Sequence, residues 1–145
     1  MNTHDELSLI PALERATHAV ALWIESAPGE LGVSQAEAHV LAHLAGHPNS
    51  TINDLHMSFG HKRSTLTGIL DRLEERGLIR RGAHPASRRL VAVALTDQGQ
   101  ILAERVHATL DELEAQLRQR VGDQAISAFL GMLRELVAVV DGERG

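Results

Sequence analysis

Residues Leu55 to Arg80 read LHMSFGHKRSTLTGILDRLEERGLIR, and Arg88 to Gly99 read RRLVAVALTDQG. Leu66, Ile69, Leu70 and Leu73 recur at steps of three and one, the spacing of one helix face, and predict a helix over roughly 62–76. Lys62, Arg63, Ser64, Thr65, Thr67 and Gly68 crowd its first two turns. Short hydroxyl side chains and the free N–H groups of a helix start can there reach phosphates and base edges. Gly60 marks a tight turn before this helix and Gly77 a C′ position after it. Upstream, Ser50 or Thr51 opens a short helix from Ile52 to about Ser58. Downstream, the β-prone runs Leu78–Arg81 and Leu90–Ala94 flank a Gly-, Pro- and Ser-containing stretch from Gly82 to Arg89, which predicts a hairpin. Helix, tight turn, helix and basic hairpin is the order that sets one helix in the major groove with a wing beside it.

The flanking sequence is helical. Ile10, Leu13, Thr17, Val20 and Ile24, with Leu7 before them, form one stripe of a first helix over about 5–26, with Pro11 in its first turn and Pro28-Gly29 as the break. Ser34, with Glu37 three residues on, caps a second helix that runs to about Ala45. Thr96 caps a long helix striped by Leu102, Val106, Leu110, Leu113, Leu117 and Val121 up to Gly122. Asp123 caps a last helix carrying Ile126, Phe129, Leu130, Leu133, Val137 and Val140. A helix of about 25 residues spans near 38 Å. Its apolar stripe must meet another surface, supplied in part by a second copy of the chain.

These readings agree with the resemblance of both quoted stretches to the MarR family (multiple antibiotic resistance regulators). The shared pattern is ST-x-T-x-x-x-D-x-L-x-x-x-G-L-I-x-R, followed by RR and then LT-x-x-G at the start of the long helix. The six-helix order with one wing extends the resemblance over nearly the whole chain. It implies a homodimer whose first, fifth and sixth helices form the shared layer, binding near-palindromic DNA and often releasing it when an effector enters a crevice near that layer. It also implies major-groove contacts from Ser64, Thr65 and Thr67, and a wing contact from Arg89 beside Arg88. The chain departs from the family pattern in three places. Ser87 stands where the wing's Asp is expected, so a supporting ion pair is lost. Lys62 replaces a common Ser or Asp cap, costing roughly 1 kcal/mol of helix-end stabilisation while adding a phosphate partner. Gly68 occupies a place often filled by a longer side chain.

Charge distribution agrees. The net charge is −5, yet Asp54 to Leu90 carries eight basic residues against four acids, while the remainder carries six against fifteen. A basic centre in an acidic frame focuses polyanion binding on one surface. Aromatics make up 2% of the chain, so the core must come from Leu, Ile, Val and Ala, which suits helix packing. The absence of cysteine excludes disulfides, thiolate metal sites and thiol redox sensing. No apolar run approaches a membrane span, and Asp5 and Glu6 stand where a basic signal region would be, so the cytoplasm is the expected compartment.

Nine histidines are unusual in 145 residues. His39 and His43 lie four apart with His47 beyond, a spacing that suits zinc, a pH-responsive surface, or only a complemented helix end. Trp23, His39, His43 and His107 are the candidates for an effector crevice, with no cofactor and no resident metal expected. A catalytic reading finds no H-E-x-x-H, nucleophile elbow or phosphate-binding Gly loop. The competing class is a DNA-free winged-helix module that heterodimerises with another regulator; retention of Arg63, Arg88 and Arg89 speaks against it. The expectation is therefore a mainly α chain with a small β-hairpin wing, acting on double-stranded DNA and a small-molecule effector. Its parts are residues 1–30 for dimerisation, 31–95 for the DNA-binding lobe and 96–145 for dimerisation.

Overall fold

The computed structural model describes residues 8–26 and 31–144. Leu7 and the Pro28-Gly29 break lie outside them. Six helices and three short strands follow in the order α1 (Leu9–Glu25), α2 (Gln35–Gly46), β1 (Ser50–Thr51), α3 (Ile52–Phe59), α4 (Arg63–Glu75), β2 (Ile79–His84), β3 (Ser87–Leu95), α5 (Asp97–Val121) and α6 (Asp123–Glu143). The chain divides into two compact units, residues 1–109 and 110–145.

Helix boundaries in the first unit follow local chemistry. The Ser34 hydroxyl accepts the Glu37 N–H at 3.2 Å and starts α2. Thr51 and Asp54 form a reciprocal capping box at α3, with bonds of 3.1 and 2.8 Å, and the Thr51 N–H donated to the Asp54 carboxylate holds that carboxyl below its ordinary pKa. Gly60, at φ +65°, makes the turn into α4. At the far end of α4, Gly77 takes φ +71° and donates to Glu74 O, while Leu78 N donates to Leu73 O, both at 2.9 Å. That pair of bonds closes the last turn as a Schellman motif.

The sheet is antiparallel in the order β1-β3-β2. Sequence reading took Ser50 and Thr51 only as a helix cap. They also form a two-residue strand opposite Val93 and Ala92, too short to carry an alternation signal. The wing is also longer than expected. Gly82, Ala83, His84 and Ser87 are paired, and Pro85-Ala86 forms the turn. Register breaks near the tip, where Ala83 faces Val91 but His84 faces Ser87. Arg88, Arg89 and Leu90 therefore stand out of the ladder as a bulge.

The core of this unit is aliphatic, as the composition required. Val40, Leu41, Leu55, Leu66, Ile69, Leu70, Leu73, Ile79, Val93 and Val106 are all at most 2% exposed. Packing of α4 on α2, α3 and β2 fixes the helix through its Leu66, Ile69, Leu70 and Leu73 face.

The wing is joined to α5 by a close contact. Thr96 N donates to Leu78 O at 3.1 Å, Thr96 Oγ1 donates to Gly77 O at 2.6 Å, and Gly99 N donates to Thr96 Oγ1 at 3.1 Å. A Cβ on Gly99 would lie 1.8 Å from the Leu78 carbonyl oxygen, so only glycine fits.

In the second unit, α6 does not start as expected. Gly122, at φ +83°, is the N-cap and offers no side chain, while Asp123 is the first helical residue. The Asp123 carboxylate pairs instead with Arg118 at 2.7 Å, and Arg118 also binds Glu114. Arg118 reaches that carboxylate from the preceding turn, which leaves the cap position to glycine. Phe129, Leu130, Met132, Val137, Val139 and Val140 of α6 are each at least 40% exposed.

Candidate nucleic-acid interface

Lys62 is the N-cap of α4 and its side chain caps nothing. The first intrahelical bond runs from Leu66 N to Lys62 O at 3.0 Å, so the N–H groups of Arg63, Ser64 and Thr65 have no partner among the described residues. Lys62, Arg63, Ser64, Thr65 and Thr67 are all exposed. Free donors, the positive end of the helix dipole and two cations thus converge on one spot. Thr67 donates its hydroxyl proton to Arg63 O at 2.8 Å, leaving lone pairs and a methyl group outward. Gly68 is half-buried, with Arg72 Nη1 3.5 Å from where its Cβ would be.

The eight basic residues counted from Asp54 to Leu90 fall into two classes. Arg72 and Arg76 lie 3.6 and 3.3 Å from the buried Glu37 carboxylate on α2. Arg81 binds Asp71 at 2.6 Å and Glu74 at 2.5 Å. Lys62, Arg63, Arg80, Arg88 and Arg89 have no acidic partner among the described residues. These five sit at the start of α4 and on the wing. Sequence reading picked four of them and missed Arg80, whose environment only strand register reveals.

At the wing tip, exposed Arg88 and Arg89 lie in the bulge. At Ser87, where the resemblance implies an Asp, the hydroxyl accepts the Arg89 N–H at 3.3 Å. A local backbone bond thus holds the loop where an ion pair was expected. His84 Nδ1 accepts the Ala86 N–H at 3.0 Å across the turn.

The histidines are spread around this lobe. His43 and His47 stack with centroids 4.2 Å apart, and His47 Nδ1 donates to His43 O at 3.1 Å. Phe59 meets His43 edge-on and stacks with His61. Burial lowers the His39 pKa, with His61 adding to the effect. Burial also lowers that of His43, assisted by His47 and opposed by Asp54.

His43 lines an open groove of about 560 Å³ with His47, Asp54, Met57 and His84, to which Trp23, His39 and His107 do not contribute. His107 Nε2 donates to Ala42 O at 2.9 Å, tying α5 to α2. A second groove, of about 400 Å³, is lined by Leu13, Glu14, Thr17, His18, Ala21 and Gln35 and contains none of Trp23, His39, His43 and His107. Among the described residues no group of three or more His, Asp or Glu side chains is placed to hold a metal ion. No helix among them is long and apolar enough to cross a membrane.

Residues 33–91, from just before α2 into the wing, match the sequence profile of the MarR family. Over that segment the chain is similar to the MarR family of regulators. Its likeness to curated MarR-type proteins extends beyond that segment. The homoprotocatechuate degradative operon repressor of Escherichia coli is 26% identical over 136 residues, covering 94% of this chain and 90% of the relative. Among solved structures, S. aureus MepR in complex with DNA superposes with TM-score 0.81 at 19% identity, covering 92% of this chain and 99% of MepR. Bordetella bronchiseptica BpsR, whose DNA binding is regulated by 6-hydroxynicotinic acid, gives TM-score 0.77 at 21% identity, covering 94% of this chain and 98% of BpsR. At those identities MepR and BpsR establish the shared fold.

Proposed function

We propose that this protein is a MarR-type, effector-responsive repressor that binds a near-palindromic operator as a homodimer. One observation carries the DNA reading. Of eight basic residues in the lobe, the five without acidic partners among the described residues are those at the start of α4 and along the wing. Ser64, Thr65, Thr67 and the backbone at Gly68 would face the major groove, with Lys62 and Arg63 on phosphates. Arg88 and Arg89 would enter the minor groove, whose negative potential favours arginine.

The homodimer reading is supported by apolar side chains left exposed on α1 (Leu9, Ile10, Leu22), α5 (Leu117, Val121) and α6. Sedimentation equilibrium at micromolar concentration is expected to give about twice the 15.7 kDa chain mass, and a monomer there refutes it. The effector reading is supported by BpsR, whose ligand is a small aromatic acid. Trp23, His39, His43 and His107 are the first residues to substitute when an effector is sought. The deciding experiment is a salt-dependent binding titration on the promoter beside the protein's own gene. Sequence-selective binding is expected; equal affinity for an unrelated duplex overturns the repressor reading.

A further inference from the structure

Two arginines follow one another in β2, and the pleat sends successive side chains to opposite faces. Arg81 reaches α4, its Nη2 2.6 Å from Asp71 Oδ1 and its Nε 2.5 Å from Glu74 Oε2. Asp71 and Glu74 are three apart and so share one face of the helix. The guanidinium therefore grips two carboxylates with two separate N–H groups, a geometry its planar fork favours. Both bonds raise its pKa further, Asp71 contributing most. Arg80, its neighbour, is exposed, and the ladder sets it opposite Ala94.

The clamp matters because little else holds the outer wing. Ile79 is the buried residue of β2, whereas Arg80, Arg81, Gly82 and Ala83 are exposed as residues. A two-stranded ribbon alone is marginally stable in water. The same ribbon carries Arg88 and Arg89 at its tip.

We propose that Arg81 is the positioning residue that holds the wing at a set distance from the DNA-reading start of α4, while Arg80 is a direct phosphate contact. This rests on the DNA-binding reading above, so one arm of the test uses no DNA. In the free protein, Arg81→Gln is expected to speed amide exchange at residues 82–84 and 91–93 about tenfold while leaving residues 66–75 of α4 unchanged. Arg80→Gln is expected to change neither. Unaltered wing exchange in Arg81→Gln overturns the clamp whether or not DNA binds.

On the promoter duplex, Arg81→Gln is expected to weaken binding about three- to tenfold with an unchanged salt slope, because no phosphate contact is lost. Arg81→Lys, which keeps the charge but not the fork, is expected to recover part of that loss. Arg80→Gln is expected to reduce the salt slope by about one. A slope reduced by one in Arg81→Gln overturns its positioning role, and an unchanged slope in Arg80→Gln overturns the phosphate contact. Failure of the parent to bind any duplex overturns the DNA reading, and the exchange arm still decides the clamp.

Discussion

Among the described residues, the first turn of α4 leaves Lys62 and Arg63 without acidic partners and three N–H groups open, whereas over its last two turns Asp71, Arg72, Glu74 and Arg76 are all paired. The start is uncapped and the end is closed by a Schellman motif. A helix built for stability alone would put a hydroxyl or carboxylate at the first position. The difference shows that counting basic residues along a sequence overstates an electrostatic footprint. Arginines facing a buried Glu37 or an i, i+3 acidic pair are neutralised by the fold before any DNA arrives.

The strongest way to break this distinction lies at the wing. Arg88→Ala with Arg89→Ala, both free cations, is expected to lower DNA affinity roughly ten- to hundredfold at low salt and to reduce the salt slope by about two. Fluorescence anisotropy at several salt concentrations checks it, and parent-like binding would show that the wing is not a contact.

A smaller effect with opposed signs is expected at the start of α4. Lys62→Ser should raise unfolding free energy by about 1 kcal/mol by supplying the missing cap. The same change should weaken DNA binding several-fold by removing a phosphate partner. Urea unfolding and DNA titration of one variant test both; no gain in stability would refute the missing cap, and unweakened binding would refute the phosphate contact.

The closed end supplies the control. Arg76→Ala should cost at most about 1 kcal/mol of stability, because its guanidinium is 43% exposed and solvent screens the pair. Its salt slope should match the parent's. A reduced slope would place Arg76 on DNA and collapse the distinction.

The smallest expected effect is on pH. His39 and His43 titrate below the ordinary 6.5 in the folded chain, chiefly through burial. The unfolded chain then binds more protons than the folded one between those values, so stability rises with pH in that window. It should be fully present above about pH 7 and decline as pH falls through about 6.5. His39→Gln with His43→Gln should flatten that decline in thermal melts. An unchanged pH profile would refute the assignment.

Much of this was legible in the sequence because it rests on local rules. Ser34, Thr51, Gly60, Gly77 and Thr96 acted as caps and turns, and the Leu66–Leu73 stripe is buried as its spacing required. The strand Ser50–Thr51 was not legible, since two residues carry no period. Nor were the paired states of Arg72, Arg76 and Arg81, because Glu37 lies 39 residues from Arg76 and only the fold joins them. The wing's true length was hidden by Gly82 and Pro85, which read as loop although Gly82 sits in the ladder opposite Ala92.

The junction around Gly99 has a mechanical meaning. Thr96 ties the start of α5 to the Gly77 and Leu78 carbonyls just beyond α4, and backbone meets backbone too closely there for even a methyl group. Such a joint behaves as a weld. A tilt imposed on the opening turn of α5 has no slack in which to dissipate, so it arrives at the reading helix as the same tilt. A side chain at position 99 would force the two backbones apart and loosen that weld.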